Sequence, residues 1–214
     1  MIFDKKTAEA IAQELLTIKA IKLNTENPFQ WASGWQSPIY CDNRLILSFP
    51  KMRKLVSESM AAIIDSKYPN IECIAGVATG AIGFAALVAE ALNLPMVYVR
   101  PEPKKHGRQN QIEGIVPSKK KIIVIEDLIS SGNSSLNAVK ALRSENCDVA
   151  GMIAVFTYNF PIATKNFQEA KVDLWTLSDY ATLIDFAVSS KYISKTQEGL
   201  LLAWNKSPES WKPN

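Results

Sequence analysis

The sequence predicts an α/β protein with a mostly parallel central sheet flanked by helices, and three observations carry that reading. Between residues 71 and 177, short apolar runs alternate with segments at helical spacing, the pattern left by successive βαβ units. Ile122, Ile123, Val124 and Ile125 are consecutive and β-branched, as expected of a strand covered on both faces. No Pro/Gly/Ser-rich linker divides the 214 residues, so one domain over 1–214 is expected.

Residues 4–19 read as an amphipathic helix, because Ala8, Ile11, Ala12, Leu15 and Leu16 share one face. Asn27 to Arg44 mixes Phe29, Trp31, Trp35 and Tyr40 with Gly34, Ser37 and Pro38, and reads as short strands and turns. Residues 50–66 return to a helix opened by Pro50. Strands follow at 71–75, 96–100, 121–126, 149–157 and 172–177. Helices are expected at 81–92, 133–144 and 161–170, with a polar loop over 101–117. The tail carries two more helices, about 179–189 and 195–205.

Composition narrows the class. A hydrophobic content of 47% and a charged content of 21% suit a soluble globular enzyme, and the net charge of +3 is too weak to demand nucleic acid. Cys41, Cys73 and Cys147 lie far apart with no CxxC pair, which reads as reduced thiols of a cytoplasmic protein. His106 is the one histidine, so a multi-His zinc site is out of reach. The apolar window 81–99 is broken by Glu90, Asn93 and Pro95, which argues against a membrane span.

Ligands of parallel α/β sheets bind beyond the carboxyl ends of the strands. Three such ends favour anionic phosphate. After strand 121–126 come Glu126 and Asp127, then a Ser/Gly turn and a helix N-terminus. Backbone N–H groups there can hold a phosphate while carboxylates accept bonds from ribose hydroxyls. An ordinary turn capped by Asp and Ser is the plainer alternative. After strand 71–75, Gly76 to Ala81 lets a ligand approach the backbone closely, though close helix–strand packing explains it equally. Its glycines miss the dinucleotide fingerprint, and no P-loop run exists. After strand 96–100, Arg100, Lys104, Lys105, His106 and Arg108 form a basic loop that could close over a polyphosphate.

These residues resemble a known family. Ile122 to Ser135 resembles the phosphoribosyl-pyrophosphate signature of type I phosphoribosyltransferases. Ser37-Pro38-Ile39-Tyr40-Cys41-Asp42-Asn43-Arg44 is similar to the base-binding segment of orotate phosphoribosyltransferases, and Lys104 to Gly114 to their catalytic loop. The resemblance implies a type I phosphoribosyltransferase fold with a small N-terminal hood over about residues 20–48. It implies Mg²⁺-dependent transfer of ribosyl 5-phosphate from phosphoribosyl pyrophosphate to N1 of orotate, in pyrimidine biosynthesis. Magnesium would be held mainly by the substrate, with no dedicated protein metal site.

Carried over by residue, Glu126 and Asp127 would contact ribose hydroxyls. The segment Leu128, Ile129, Ser130, Ser131, Gly132, Asn133 and Ser134 would hold the phosphoribosyl group, with Ser130 also near orotate. Thr79 and Gly80 would belong to the pyrophosphate loop. Arg100, Lys104 and His106 would engage pyrophosphate, and Lys104, His106 and Asp127 would be the catalytic set. Tyr40 and Cys41 would lie by the base. The resemblance also implies a homodimer with shared active sites, and neither nucleic acid nor membrane as partner. Asn133 stands where the family usually has a second glycine, so the phosphate turn must tolerate a side chain there, and Asn is able to adopt the left-handed conformation. The strand ending Phe156-Thr157-Tyr158 lacks an arginine that some members place on orotate. Transfer to another base, or a non-catalytic sensor of phosphoribosyl pyrophosphate on the same fold, are the alternatives.

Overall fold

The computed structural model describes residues 1–31, 34–102 and 110–212. Helix α1 (Lys5–Thr17) is started by Asp4, whose carboxylate accepts the Thr7 N–H at 2.7 Å, and it buries the apolar stripe from Ala8 to Leu16. Then come β1 (Ile21–Leu23), β2 (Phe29–Gln30), β3 (Gln36–Ser37) and β4 (Ile39–Cys41), short strands that pair antiparallel as β1 with β4 and β2 with β3. Together with a 3₁₀ turn over Asn43–Ser48 they are the short strands and turns expected from the aromatic and turn-forming residues, and we call this segment the hood. Helix α2 (Pro50–Lys67) begins on its proline, whose missing N–H costs nothing at that position.

The main sheet is built from β5 (Cys73–Val77), β6 (Met96–Val99), β7 (Ile112–Glu113), β8 (Lys121–Ile129), β9 (Asp148–Thr157) and β10 (Leu174–Asp179). Among the described residues its order is β10-β9-β8-β5-β6-β7, parallel throughout except for the antiparallel edge strand β7. Helices α3 (Ile82–Leu92), α4 (Asn133–Ser144), α5 (Pro161–Glu169), α6 (Tyr180–Ser189) and α7 (Lys195–Lys206) complete the chain. The core runs through both faces of the sheet, with Ile122 to Ile125 of β8 fully buried.

The sheet differs from the sequence reading in four places, one of them β10, which lies two residues later than 172–177. Strand β5 lies two residues later than 71–75. The polar loop 101–117 contains β7, where Ile112 sits opposite Val99 and hides an apolar side chain at the sheet edge. Strand β8 runs three residues beyond Glu126. It does so because β9 is long enough to pair with it as far as Ile129, opposite Thr157, whereas β5 pairs no further than Gly76 with Ile125. From β5 the chain crosses to β6 on one side, and from β8 to β9 on the other. That reversal opens a crevice between the ends of β5 and β8.

Candidate active site

A cavity of about 620 Å³ fills that crevice, a size suited to a small phosphorylated ligand. One wall is the β5–α3 turn, Val77 to Gly80. The other is the end of β8 and the turn into α4, Glu126 to Ser135. Asp42 and Arg44 of the hood close a third side.

Successive residues of a strand point to opposite faces, so the two adjacent acids meet different surroundings. Glu126 turns toward α4. Its Oε2 accepts the Ser135 hydroxyl at 2.7 Å and its Oε1 accepts the Asp127 N–H at 2.9 Å. It is buried, and desolvation with the neighbouring Asp127 carboxyl pushes its own carboxyl well above the usual range. Asp127 turns toward the β5–α3 turn. A Cβ on Gly80 would fall 2.5 Å from the Asp127 Cγ, so the absence of a side chain at 80 is what admits this carboxylate.

Both turns present free backbone donors. Among the described residues, no backbone bond runs from the N–H of Ser131, Gly132, Asn133 or Ser134, nor from that of Thr79 or Gly80. The first N–H groups of a helix have no intrahelical partner and carry its positive end, so the turn into α4 can act as an anion cradle, and the open N–H groups of Thr79 and Gly80 ahead of α3 offer a second set of donors. Gly132 makes the cradle possible: its φ of +79° is left-handed, and a Cβ there would meet the Phe167 ring at 2.7 Å. The left-handed residue is Gly132, and Asn133 is the first residue of α4, so its side chain is accommodated in helical backbone. The Asn133 side-chain oxygen accepts from Asn166 Nδ2 at 3.1 Å, and the same amide donates to the Ser131 carbonyl at 2.9 Å, tying the cradle to α5.

The hood is fastened to the acid strand by a residue to which the sequence reading gave no role. Because β8 outruns β5, the Asp127 carbonyl accepts a side-chain donor, Asn43 Nδ2 at 2.6 Å. Asn43 is buried, and its Oδ1 accepts the Cys41 thiol at 3.2 Å. Arg44 was likewise missed as a cavity residue. Its guanidinium forks onto Asp42 through Nε at 2.6 Å and Nη2 at 2.9 Å, holding the Asp42 carboxyl below its ordinary range. The signal was the Asp-x-Arg spacing just after β4, legible only once that strand end is known to face the crevice.

A second cavity, about 340 Å³, opens beside the first and is lined by Gln30, Trp31, Tyr40, Cys41, Leu128, Ser130 and Tyr158. Cys41, Leu128 and Ser130 line both and form the junction. Burial and the nearby Asp127 and Asp42 carboxylates push the Cys41 thiol well up, so it is a neutral wall group and no nucleophile.

The structure thus gathers Thr79, Gly80, Glu126, Asp127, Leu128, Ser130, Ser131, Gly132, Asn133, Ser134 and Cys41 around one cavity, with Tyr40 at the adjoining one. Ile129 is not among them: its side chain is fully buried in the core. Arg100 stands apart too, with its Nη1 3.6 Å from Glu113 on β7. Lys104 and His106 lie outside the described residues.

Residues 44–189 match the Phosphoribosyl transferase domain family. Over 207 residues the chain is 51% identical to an orotate phosphoribosyltransferase of Porphyromonas gingivalis, covering 97% of this chain and 99% of that one. The chain belongs to the orotate phosphoribosyltransferase family. An orotate phosphoribosyltransferase of Cytophaga hutchinsonii is 52% identical over 202 residues, 94% of this chain and 97% of its own. The fold agrees with the crystal structure of the Aeropyrum pernix orotate phosphoribosyltransferase, at a TM-score of 0.75 and 24% identity over 86% of this chain and 99% of that one. The hood before residue 44 and helix α7 lie outside the domain match, but the two family members cover 94% of the chain or more.

Proposed function

We propose that this chain transfers ribosyl 5-phosphate from phosphoribosyl pyrophosphate to N1 of orotate, releasing pyrophosphate, as the orotate step of pyrimidine biosynthesis. The observation that carries the reading is the pairing of two sets of backbone donors around Asp127 with an adjoining aromatic cavity, joined at Cys41, Leu128 and Ser130. A sugar phosphate in the larger cavity would turn its C1 toward a base in the smaller one.

The residues divide the work. The N–H groups of Ser131 to Ser134 and the hydroxyls around them hold the 5-phosphate, and the Thr79–Gly80 turn holds the pyrophosphate. Asp127, the less buried acid, accepts from the ribose hydroxyls. Glu126, with its carboxyl largely engaged, fixes the strand–helix junction beside it. As N1 attacks and the C1–O bond breaks, negative charge gathers on pyrophosphate. Lys104 and His106 are the cations to meet it, and Arg100 would join them only by turning away from Glu113. Magnesium bound to the pyrophosphate would neutralise the same charge. A magnesium ion held mainly by substrate oxygens would need few protein ligands, and Asp127, which lines the cavity, is the acid best placed to help.

Loss of orotate absorbance on mixing the protein with orotate, phosphoribosyl pyrophosphate and Mg²⁺ tests the reaction. No orotate consumption, with adenine, guanine or uracil consumed in parallel, would sink the reading. We also propose a homodimer in which Lys104 and His106 serve the neighbouring copy's cavity. Inactive Lys104→Ala and Asp127→Asn proteins should then regain partial activity when mixed; mixtures that stay inactive remove the sharing.

A further inference from the structure

The Tyr158 hydroxyl is the unexplained polar group of the smaller cavity. Tyr158 follows β9, and the residue is 2% exposed. Its ring is fixed on several sides. It stacks on Phe160 at 5.3 Å and 12°, and meets Trp31, Phe156 and Trp204 at 5.2, 5.7 and 5.8 Å. Its backbone is held as well, its N–H donating to the Ile129 carbonyl at 3.1 Å and its carbonyl accepting Asn205 Nδ2 at 2.8 Å. Nothing holds the hydroxyl. Among the described residues it makes no hydrogen bond, and Tyr158 lines the cavity.

A hydroxyl that opens into a cavity, has no protein partner and sits on a ring held from several sides is free to bond a ligand there without reordering. The cavity around it has a particular chemistry. No Lys, Arg or His lines it among the described residues, and the Cys41 thiol is already donated to Asn43. Burial raises the phenol well above its ordinary range, so at neutral pH it is a donor with its proton in place. The oxygens of a pyrimidine entering this space meet neutral donors, of which Tyr158 is the most rigidly set.

We propose that Tyr158 is a specificity-determining residue of the base site, its hydroxyl donating a hydrogen bond to a carbonyl or carboxylate oxygen of the bound pyrimidine. The proposal rests on the orotate reading given above. The Leu128 side of the cavity supplies apolar contact and the aromatic cluster supplies rigidity, so the bond forms without ordering a side chain at the moment of binding.

The test is Tyr158→Phe, which removes only the oxygen and keeps the stacked ring. KM for orotate should rise about tenfold or more, with KM for phosphoribosyl pyrophosphate unchanged and kcat altered much less, the mark of lost binding to one substrate. The melting temperature should hold or rise, since the deleted hydroxyl has no protein partner. An unchanged orotate KM overturns the proposal. So does a lowered melting temperature with both KM values raised, which would mark a structural tyrosine. A wild-type protein that leaves orotate untouched would instead overturn the reading beneath it, so the two failures are distinguishable.

Discussion

Gly80→Ala isolates the contact that admits Asp127 to the site. The built Cβ would lie 2.5 Å from Asp127 Cγ and Oδ2 and 2.6 Å from Oδ1, where ordinary contact begins near 3.4 Å. The Gly80 φ is not in the left-handed region, so alanine meets no backbone strain and acts only through this overlap. Relief requires the carboxyl or the 78–80 turn to move by about 1 Å. Overpacking of this kind costs about 1–3 kcal/mol, a fall of several degrees in melting temperature for a chain of this length. A displacement of about 1 Å in a positioning group lowers turnover by up to about 100-fold. We expect kcat/KM for phosphoribosyl pyrophosphate to drop by one to two orders of magnitude, roughly, on the same basis. In an Asp127→Ala background the stability cost of Gly80→Ala should vanish, because the obstructing carboxyl is gone. Full activity in the single variant would refute the reasoning, as would an equal stability loss in both backgrounds.

Other expectations follow from the same geometry. Burial and the adjacent Asp127 carboxyl raise the Glu126 pKa above its ordinary 4.5 in the folded protein, so between that value and the raised one the folded protein holds a proton the unfolded chain has lost. Its contribution is full below 4.5 and declines as pH rises through that window; in denaturant titrations across pH, Glu126→Gln should flatten the decline and be the more stable protein at the alkaline end. Asn43→Ala removes the donor to the Asp127 carbonyl and the acceptor of the Cys41 thiol. It should cost about 1–3 kcal/mol in urea unfolding and raise KM for both substrates, because the hood and the acid strand are joined there; unchanged unfolding would show that the hood is held by other means.

Much of the fold was legible because each element carried its own local signal. The β-branched run of β8, the apolar stripe of α1 and the proline opening α2 act over a few residues, so pattern alone finds them. Helix α4 begins and ends where the pattern puts it, at Asn133 and Ser144. Edge strand β7 was not legible, because two residues in a polar loop carry too little alternation to register. The extension of β8 to Ile129 was not legible either, since the length of its partner β9 sets it.

The site divides along the same line. From sequence alone came the acid pair, the Ser/Gly turn and the small-residue turn at Thr79–Gly80, because each is built from contiguous residues. The tertiary structure decided how those pieces differ. Strand alternation sends Glu126 to Ser135 and Asp127 to Gly80, so one acid is buried against α4 and the other lies half-buried in the cavity wall. The tertiary structure also brings Arg44 from the hood to the crevice, Tyr158 from the end of β9 to the adjoining cavity, and Asn43 onto the Asp127 carbonyl across 84 residues of sequence. No local pattern encodes such meetings; they depend on which strands outrun their neighbours and on where the sheet reverses direction.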